Sequence, residues 1–324
     1  MNFLFGPVNS RRLGRSLGID LLPGKICNFD CIYCEVGPTT KLTCRRLEYV
    51  PTADIIAEID AYLESRERCD RVDVFTITAG GEPTLHLGIG RIIDHLGKRT
   101  GKPVVVLTNG TTFHLPEVRR DLAAVDIVIP SLDTVVPASV RKLNRPAGCF
   151  NLQESVEGLV LFSREFSGRL WLEVLIAAGI NDTAAEMKAL AAVISRMKVE
   201  RVQLNTVVRP PLLAHARPVS KNRLEELAAL LEGQGCPPVE VIADVKDEDD
   251  GKMRGSTEVP PRDDGFIRDE ILTMLKRRPC TRGDIRKTLG PEAKDGLEGI
   301  IEELMKTKQI KKERHGDRQF YRLA

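Results

Sequence analysis

The chain has 324 residues, 42% of them hydrophobic and 29% charged, with a formal net charge of +2. That length suits two domains, or one large barrel with an appendage. The near-neutral balance excludes bulk attraction to nucleic acid or membrane, so any basic surface must be local.

No apolar run approaches the length that spans a bilayer. The opening Met1-Asn2-Phe3-Leu4-Phe5-Gly6-Pro7 is too short and too little charged for a signal peptide. A cytoplasmic location is expected, and with it eight cysteines present as thiols rather than disulfides.

The first predicted strand, Leu17 to Leu22, runs into Cys27-Asn28-Phe29-Asp30-Cys31-Ile32-Tyr33-Cys34. Three thiolates this close in sequence can converge on one metal centre. A structural zinc site wants four ligands; no His is near, so Cys44 would have to be the fourth. An iron–sulfur cluster is also held by thiolates, and three of them on a four-iron cluster leave one iron open for chemistry. The spacing alone does not choose. Cys44, Cys69, Cys149, Cys236 and Cys280 lie far apart and read as ordinary thiols.

Five more stretches read as strands because they are short, β-branched and aliphatic: Val72 to Thr78, Pro103 to Thr108, Val125 to Pro130, Leu170 to Ala177 and Arg201 to Val208. Helical spacing fills the gaps, as in Ile55, Ile59 and Tyr62 or Met187, Leu190 and Ile194. Such alternation predicts an α/β fold with a parallel sheet, open or curled into a barrel. In barrels the site gathers at the carboxyl ends of the strands. There the sequence supplies the cysteine run, Gly80-Gly81-Glu82-Pro83, Asn109-Gly110, Ser131-Leu132-Asp133, Gly179-Ile180-Asn181-Asp182 and Arg209-Pro210-Pro211.

Polar residues inside two strands predict a polar interior. Alternation puts Val202, Leu204 and Thr206 on one face and Arg201, Gln203 and Asn205 on the other, with Glu173 in the neighbouring strand. Glu173, Gln203 and Asn205 either satisfy one another or hold a ligand. Arg11, Arg12 and Arg15, like Arg145 and Arg209, fit an anionic substrate or a solvated edge.

Asp244 to Asp264 carries eight Asp or Glu, four Lys or Arg, two Gly and a Pro pair, and reads as a linker between residues 1–243 and 265–324. Beyond it, Phe266, Ile267, Ile271, Leu272 and Leu275 mark a helix. Thr281 and Asp284 form a capping box for a second, Ile285 to Leu289. Pro291 suits the start of a third, through Leu297, Ile300, Ile301, Leu304 and Met305. Ile310 to Glu313 and Gln319 to Leu323 pair as a hairpin around His315-Gly316-Asp317. This pattern resembles a winged helix-turn-helix. Fifteen Lys and Arg against ten Asp and Glu favour nucleic acid, but Glu292, Asp295 and Glu298 at the third helix oppose a phosphate backbone. Nucleic-acid contact, protein contact, substrate presentation and dimerisation stay open for this segment, with RNA or protein as candidate substrates.

Gly80-Gly81-Glu82-Pro83 one strand after CxxxCxxC resembles the radical S-adenosylmethionine superfamily. The resemblance covers roughly the first 240 residues and implies a partial (β/α)6 barrel. It implies that Cys27, Cys31 and Cys34 bind a [4Fe-4S] cluster, with Tyr33 as the aromatic before the last cysteine. Gly80, Gly81, Glu82 and Pro83 would contact the amino group of S-adenosylmethionine, and Thr108, Asn109, Ser131, Asp133 and Asn205 would lie near the cofactor, while Cys44 would be dispensable.

The opening Gly6 to Asp20 and Cys27 to Gly37 resemble a branch grouped with wyosine-type tRNA-modifying radical enzymes, without that group's flavodoxin domain or second cysteine cluster. The implied activity is reductive cleavage of S-adenosylmethionine to a 5′-deoxyadenosyl radical that abstracts hydrogen from a substrate. Ferredoxin clusters lie near about −400 mV, below the cytosolic glutathione poise of at most about −320 mV. A dedicated low-potential donor such as ferredoxin or flavodoxin is therefore expected. The alternative is an iron–sulfur redox sensor that binds DNA through its C-terminal segment.

Overall fold

Strand β1 (Leu4–Ser10) turns back on β2 (Gly14–Asp20) as an antiparallel hairpin, and from β2 onward strand and helix alternate. The computed structural model describes residues 2–10, 12–242, 264–289 and 296–324. Two short parallel strands, β3 (Ile26–Cys27) and β4 (Lys41–Leu42), bracket the cysteine run. Helices α1 (Thr52–Leu63) and α2 (Arg66–Asp70) lead to β5 (Val74–Thr78), and α3 (Ile89–Thr100) to β6 (Val104–Thr108). Then come α4 (Pro116–Asp121), β7 (Ile127–Pro130), α5 (Pro137–Leu143), α6 (Leu152–Glu165) and β8 (Arg169–Ile176). After these, α7 (Ala184–Ile194), β9 (Arg201–Thr206), α8 (Lys221–Glu232) and β10 (Val239–Val241) complete the sheet, in the order β1-β2-β5-β6-β7-β8-β9-β10.

All six expected strands are present, with shifted ends. The first begins at Gly14 rather than Leu17, because pairing with β1 extends it backward. β1 itself was hidden by Gly6 and Pro7, both poor strand formers. β10 adds parallel to β9.

The alternation within strands sorts two environments. Phe75, Ile77, Val104, Val106, Val128, Leu172, Val174, Val202 and Leu204 face the helices and meet their apolar stripes, among them Ile55, Ile59, Ile92, Leu96, Leu190 and Leu227. The opposite face begins apolar, with Val74, Val105, Ile127 and Trp171. Further along the strands it turns polar, at Thr76, Glu173, Gln203 and Asn205. The concave side of the curved sheet is thus sealed at the strand starts and polar toward their carboxyl ends.

The C-terminal elements are α9 (Asp264–Arg277), β11 (Cys280–Thr281), α10 (Arg282–Leu289), α11 (Leu297–Lys306), β12 (Ile310–His315) and β13 (Arg318–Leu323). They enclose their own apolar cluster, including Ile271, Leu275, Ile285, Ile300, Leu304 and Tyr321. The capping box forms in both directions: Thr281 N donates to Asp284 Oδ2 at 3.0 Å and Asp284 N to Thr281 Oγ1 at 3.1 Å. The expected linker lies outside the described residues except Asp264, where α9 begins. Arg11, Pro291, Glu292, Lys294, Asp295 and the Phe266 side chain lie outside them as well.

This segment seats against the barrel rim. Arg209 lies between Glu35 (3.1 Å) and Asp284 (2.9 Å) and donates to Pro279 O at 2.8 Å. Arg277 pairs with Asp20 and lies 4.2 Å over the Phe5 ring. His315 Nε2 is 3.0 Å from Val207 O, and Asn9 Nδ2 donates to Lys287 O at 2.6 Å.

Candidate functional site

The cysteine run leaves the carboxyl end of β2 as an irregular loop whose backbone is tied to other strand ends. Ile32 N donates to Leu143 O at 2.9 Å, and Ala147 N to Asn28 O at 2.8 Å. Phe150 packs edge-on against Phe29, centroids 5.0 Å apart. These contacts bring the segment after α5 alongside the loop, and there Cys44 is joined to Cys149 by a disulfide. The expectation that all eight cysteines are thiols is therefore corrected. A separation of 105 residues concealed the pair, which the tertiary contacts between the two segments bring together. Bonded to Cys149, Cys44 cannot serve as a fourth zinc ligand.

Side-chain amides and a backbone N–H point at the loop sulfurs. Cys27 Sγ accepts from Phe29 N at 3.4 Å and from Asn109 Nδ2 at 3.7 Å. Cys31 Sγ accepts from Asn144 Nδ2 at 3.5 Å. Asn144 also donates to Asp133 Oδ2 at 2.8 Å, an oxygen that receives the Tyr33 hydroxyl at 2.6 Å. Asp133 Oδ1 accepts Leu175 N at 3.0 Å. Burial raises the Asp133 carboxyl above its ordinary range despite these donors. Burial also pushes the Cys27 thiol up to about 12 and Cys31 well above its usual value.

The glycine-rich turn is built around Glu82, which is 1% exposed. Its Oε1 accepts Thr84 N at 3.0 Å and the hydroxyls of Thr84 and Thr108, each at 2.6 Å; Oε2 accepts Asn109 N at 2.6 Å. The carboxylate thus staples the end of β5 to the end of β6. Gly81 is required by the chain itself: a Cβ there would stand 1.7 Å from Ile26 O. The close approach is to the strand entering the cysteine run, and Glu82 N seals it with a 2.9 Å bond to Ile26 O. Gly80 has more room, with its N–H 3.3 Å from Asp20 Oδ1. Pro83 opens a single 3₁₀ turn, Pro83–Leu85.

Tyr33, Asn109, Ser131 and Asp133 share a cavity of about 60 Å³ with Thr111 and Asn144. Thr108 joins them through Glu82. Asn205 stands apart: it lines a separate chamber of about 420 Å³ with Arg12, Trp171, Arg201, Gln203 and Glu240. Arg12 is held by Glu173 at 2.6 Å and by Gln203 Oε1 at 2.7 Å, so it is neither a free anion site nor a solvated edge. Arg15 pairs with Asp73 and Arg145 with Asp30. The sequence reading missed Asn28, Thr111 and Asn144. Asn28 Oδ1 receives Asn109 Nδ2 at 2.7 Å, and its amide donates to Thr111. No local signal marks Asn144, whose sulfur partner is 113 residues away.

The family model described as the radical SAM superfamily matches residues 21–194, more than half of the chain. The chain belongs to the radical SAM superfamily. Among relatives, a UPF0026 protein of Helicobacter pylori is 32% identical, over 98% of this chain and 96% of that one. A protein of Brachyspira hyodysenteriae named GTPase Obg is 32% identical over 86% of the chain, which spans only 39% of that relative's length. Two solved structures share the fold. One is a radical SAM methyltransferase from Sphaerobacter thermophilus: TM-score 0.56, 18% identity, 70% of this chain and 66% of that one. The other is TYW1 with a lysine–pyruvate adduct bound: TM-score 0.52, 16% identity, 68% and 73%.

As a radical SAM protein the chain is an enzyme with a [4Fe-4S] cluster and S-adenosylmethionine as cofactors, and such enzymes need an electron donor. Its residues fit the cluster. Three thiols lie on one loop with N–H donors at two of their sulfurs. Among the described residues no three His, Cys, Asp or Glu side chains are gathered tightly enough for a single ion. No helix there is long and apolar enough to cross a membrane.

Proposed function

We propose that Cys27, Cys31 and Cys34 hold the cluster and leave one iron to the amine and carboxylate of S-adenosylmethionine. The observation that carries this is the loop itself: three thiols at the end of β2, with N–H donors on Cys27 and Cys31 and Cys44 withdrawn into a disulfide. When bound, the reduced cluster and its cofactor supply a 5′-deoxyadenosyl radical for hydrogen abstraction from a substrate.

The chain's own residues orient and enclose. Gly80 to Pro83 form the turn that would hold the methionine amine. Oε2 of Glu82, with one donor on it, keeps acceptor capacity for that ammonium. Thr108 and Asn109 brace the same carboxylate. Asp133 fixes the Tyr33 ring edge beside Cys31, and Ser131 lines the same small cavity. Asn205 faces the larger chamber, which is roomy enough for a substrate.

The finer assignment is to the branch grouped with wyosine-type enzymes. Three helices and a hairpin at the C-terminus support a winged-helix reading, with RNA or protein as the partner it presents. Ferredoxin or flavodoxin is the fitting donor. The redox-sensor alternative gains nothing from the hairpin, where Arg322 is engaged by Glu313 and His315 by the barrel.

Anaerobic reconstitution with iron and sulfide, then dithionite and S-adenosylmethionine, tests the reading. The expected result is about four irons per chain and 5′-deoxyadenosine as product. Cys27→Ala, Cys31→Ala and Cys34→Ala should each abolish both. An intact, reducible cluster that yields no 5′-deoxyadenosine would overturn it.

A further inference from the structure

Among the described residues six large apolar side chains stand exposed, and four of them, Val36, Leu42, Leu47 and Leu87, belong to the segments that follow the cysteine loop and the glycine-rich turn. Leu42 is the ladder partner of Cys27, and Thr43 N donates to Cys27 O at 2.9 Å. Leu47 and Leu87 are knitted together: Leu47 N bonds to Leu85 O at 3.0 Å and Leu87 N to Leu47 O at 3.1 Å. Exposed apolar side chains beside unpaired charges mark an interaction site.

The rim is cationic. Between Val36 and Leu47 the sequence holds Lys41, Arg45 and Arg46 and no acidic residue. Arg46 turns inward to Asp121 at 2.6 Å, whereas Lys41 and Arg45 meet no carboxylate among the described residues. Lys41 lies 5.0 Å over the Tyr49 ring, whose hydroxyl donates to Arg45 O at 2.6 Å and ties the Arg45 backbone beside that ring. The next acid, Glu48, is neutralised by Arg91 at 2.7 Å.

We propose that this surface docks an acidic, low-potential one-electron carrier of the ferredoxin type, resting on the reading that Cys27, Cys31 and Cys34 hold the cluster. Charge complementarity selects an acidic partner, and a small apolar centre with a charged rim suits a transient encounter. Leu42 lies one ladder rung from Cys27, while the C-terminal segment meets the loop through Arg278 and Glu35. In the step one electron leaves the carrier, which is oxidised, and reduces the cluster by one; no bond or proton moves.

The test uses full-length reconstituted enzyme and reduced ferredoxin as donor, following ferredoxin oxidation by stopped flow. Lys41→Glu with Arg45→Glu, and separately Leu42→Ser with Leu47→Ser, should each slow transfer about tenfold or more. The charge variant should also lose the salt dependence of the wild-type rate. Reduction by dithionite, and cofactor cleavage under it, should stay within about twofold. Ferredoxin-driven rates unchanged in both double variants would overturn the proposal. If the charge reversals disturb the cluster, Lys41→Gln with Arg45→Gln is judged by the same criterion. Calorimetric binding of oxidised ferredoxin to the cluster-free chain is an independent readout: affinity weakened by the substitutions supports the surface, unchanged affinity rejects it. Failure of the three cysteines to assemble a cluster would instead sink the reading beneath it.

Discussion

Asn144 reaches two groups with one amide, the Cys31 sulfur at 3.5 Å and the Asp133 carboxylate at 2.8 Å. Hydrogen bonds to the sulfurs help set the potential of an iron–sulfur centre, because they favour its more negative, reduced form. Asn144→Leu, close in shape but without donors, should therefore make the cluster harder to reduce. One hydrogen bond is worth about 0.5–1.5 kcal/mol, which at 59 mV per tenfold corresponds to roughly 20–60 mV more negative. An EPR-monitored redox titration reads this directly, and an unmoved potential would mean that the contact carries no electronic weight. At the same scale Glu82 shows the limit of motif reading. Its type and position were legible in the Gly-Gly-Glu-Pro motif. Its part in joining Thr84, Thr108 and Asn109 was not, since those partners come from two strand ends.

Among the elements, the six parallel strands were readable because each is a short aliphatic run with turn residues beyond it. The edges were not. β1 carries Gly6 and Pro7, and β10 is a three-residue strand, Val239–Val241, recognisable only by its pairing with Val202 to Leu204. The disulfide was illegible for a related reason, because a cysteine pair 105 residues apart has no local pattern. It fastens the segment after α5, and with it Asn144, to the strand leaving the cysteine loop. Cys44→Ala and Cys149→Ala should each lower unfolding stability by about 2–4 kcal/mol in protein prepared without reductant. Iron content after reconstitution should not change. Denaturant titration with and without reductant separates the two: reductant should bring the wild type down to the variants. Loss of the metal centre in either variant would reopen a ligand role for Cys44.

At the level of the whole molecule, the barrel and the C-terminal segment share charges that neither satisfies alone. Arg209 is mostly buried between Glu35, which follows Cys34, and Asp284, which also caps α10. Burial by itself would raise the Asp284 carboxyl, but Arg209 overrides it and holds the group below its ordinary value. A depressed carboxyl gives a contribution that is complete above the free value of about 3.9 and disappears as pH falls through the lower folded value. Docking should hold from neutral pH to about 4 and weaken below it. Small-angle scattering on the cluster-free chain would show expansion in that window. Asp284→Asn should remove the acid step.

The Glu35–Arg209–Asp284 contact also limits how modular this architecture is. A barrel cut after residue 242 would leave Arg209 without Asp284 and the Pro279 carbonyl, and Asp20 without Arg277. Two ions placed for partners would face water, one of them, Arg209, still paired with Glu35 beside Cys34. The smallest piece of this chain that keeps its cysteine loop in native surroundings therefore includes the last sixty residues, however separate their apolar cluster looks.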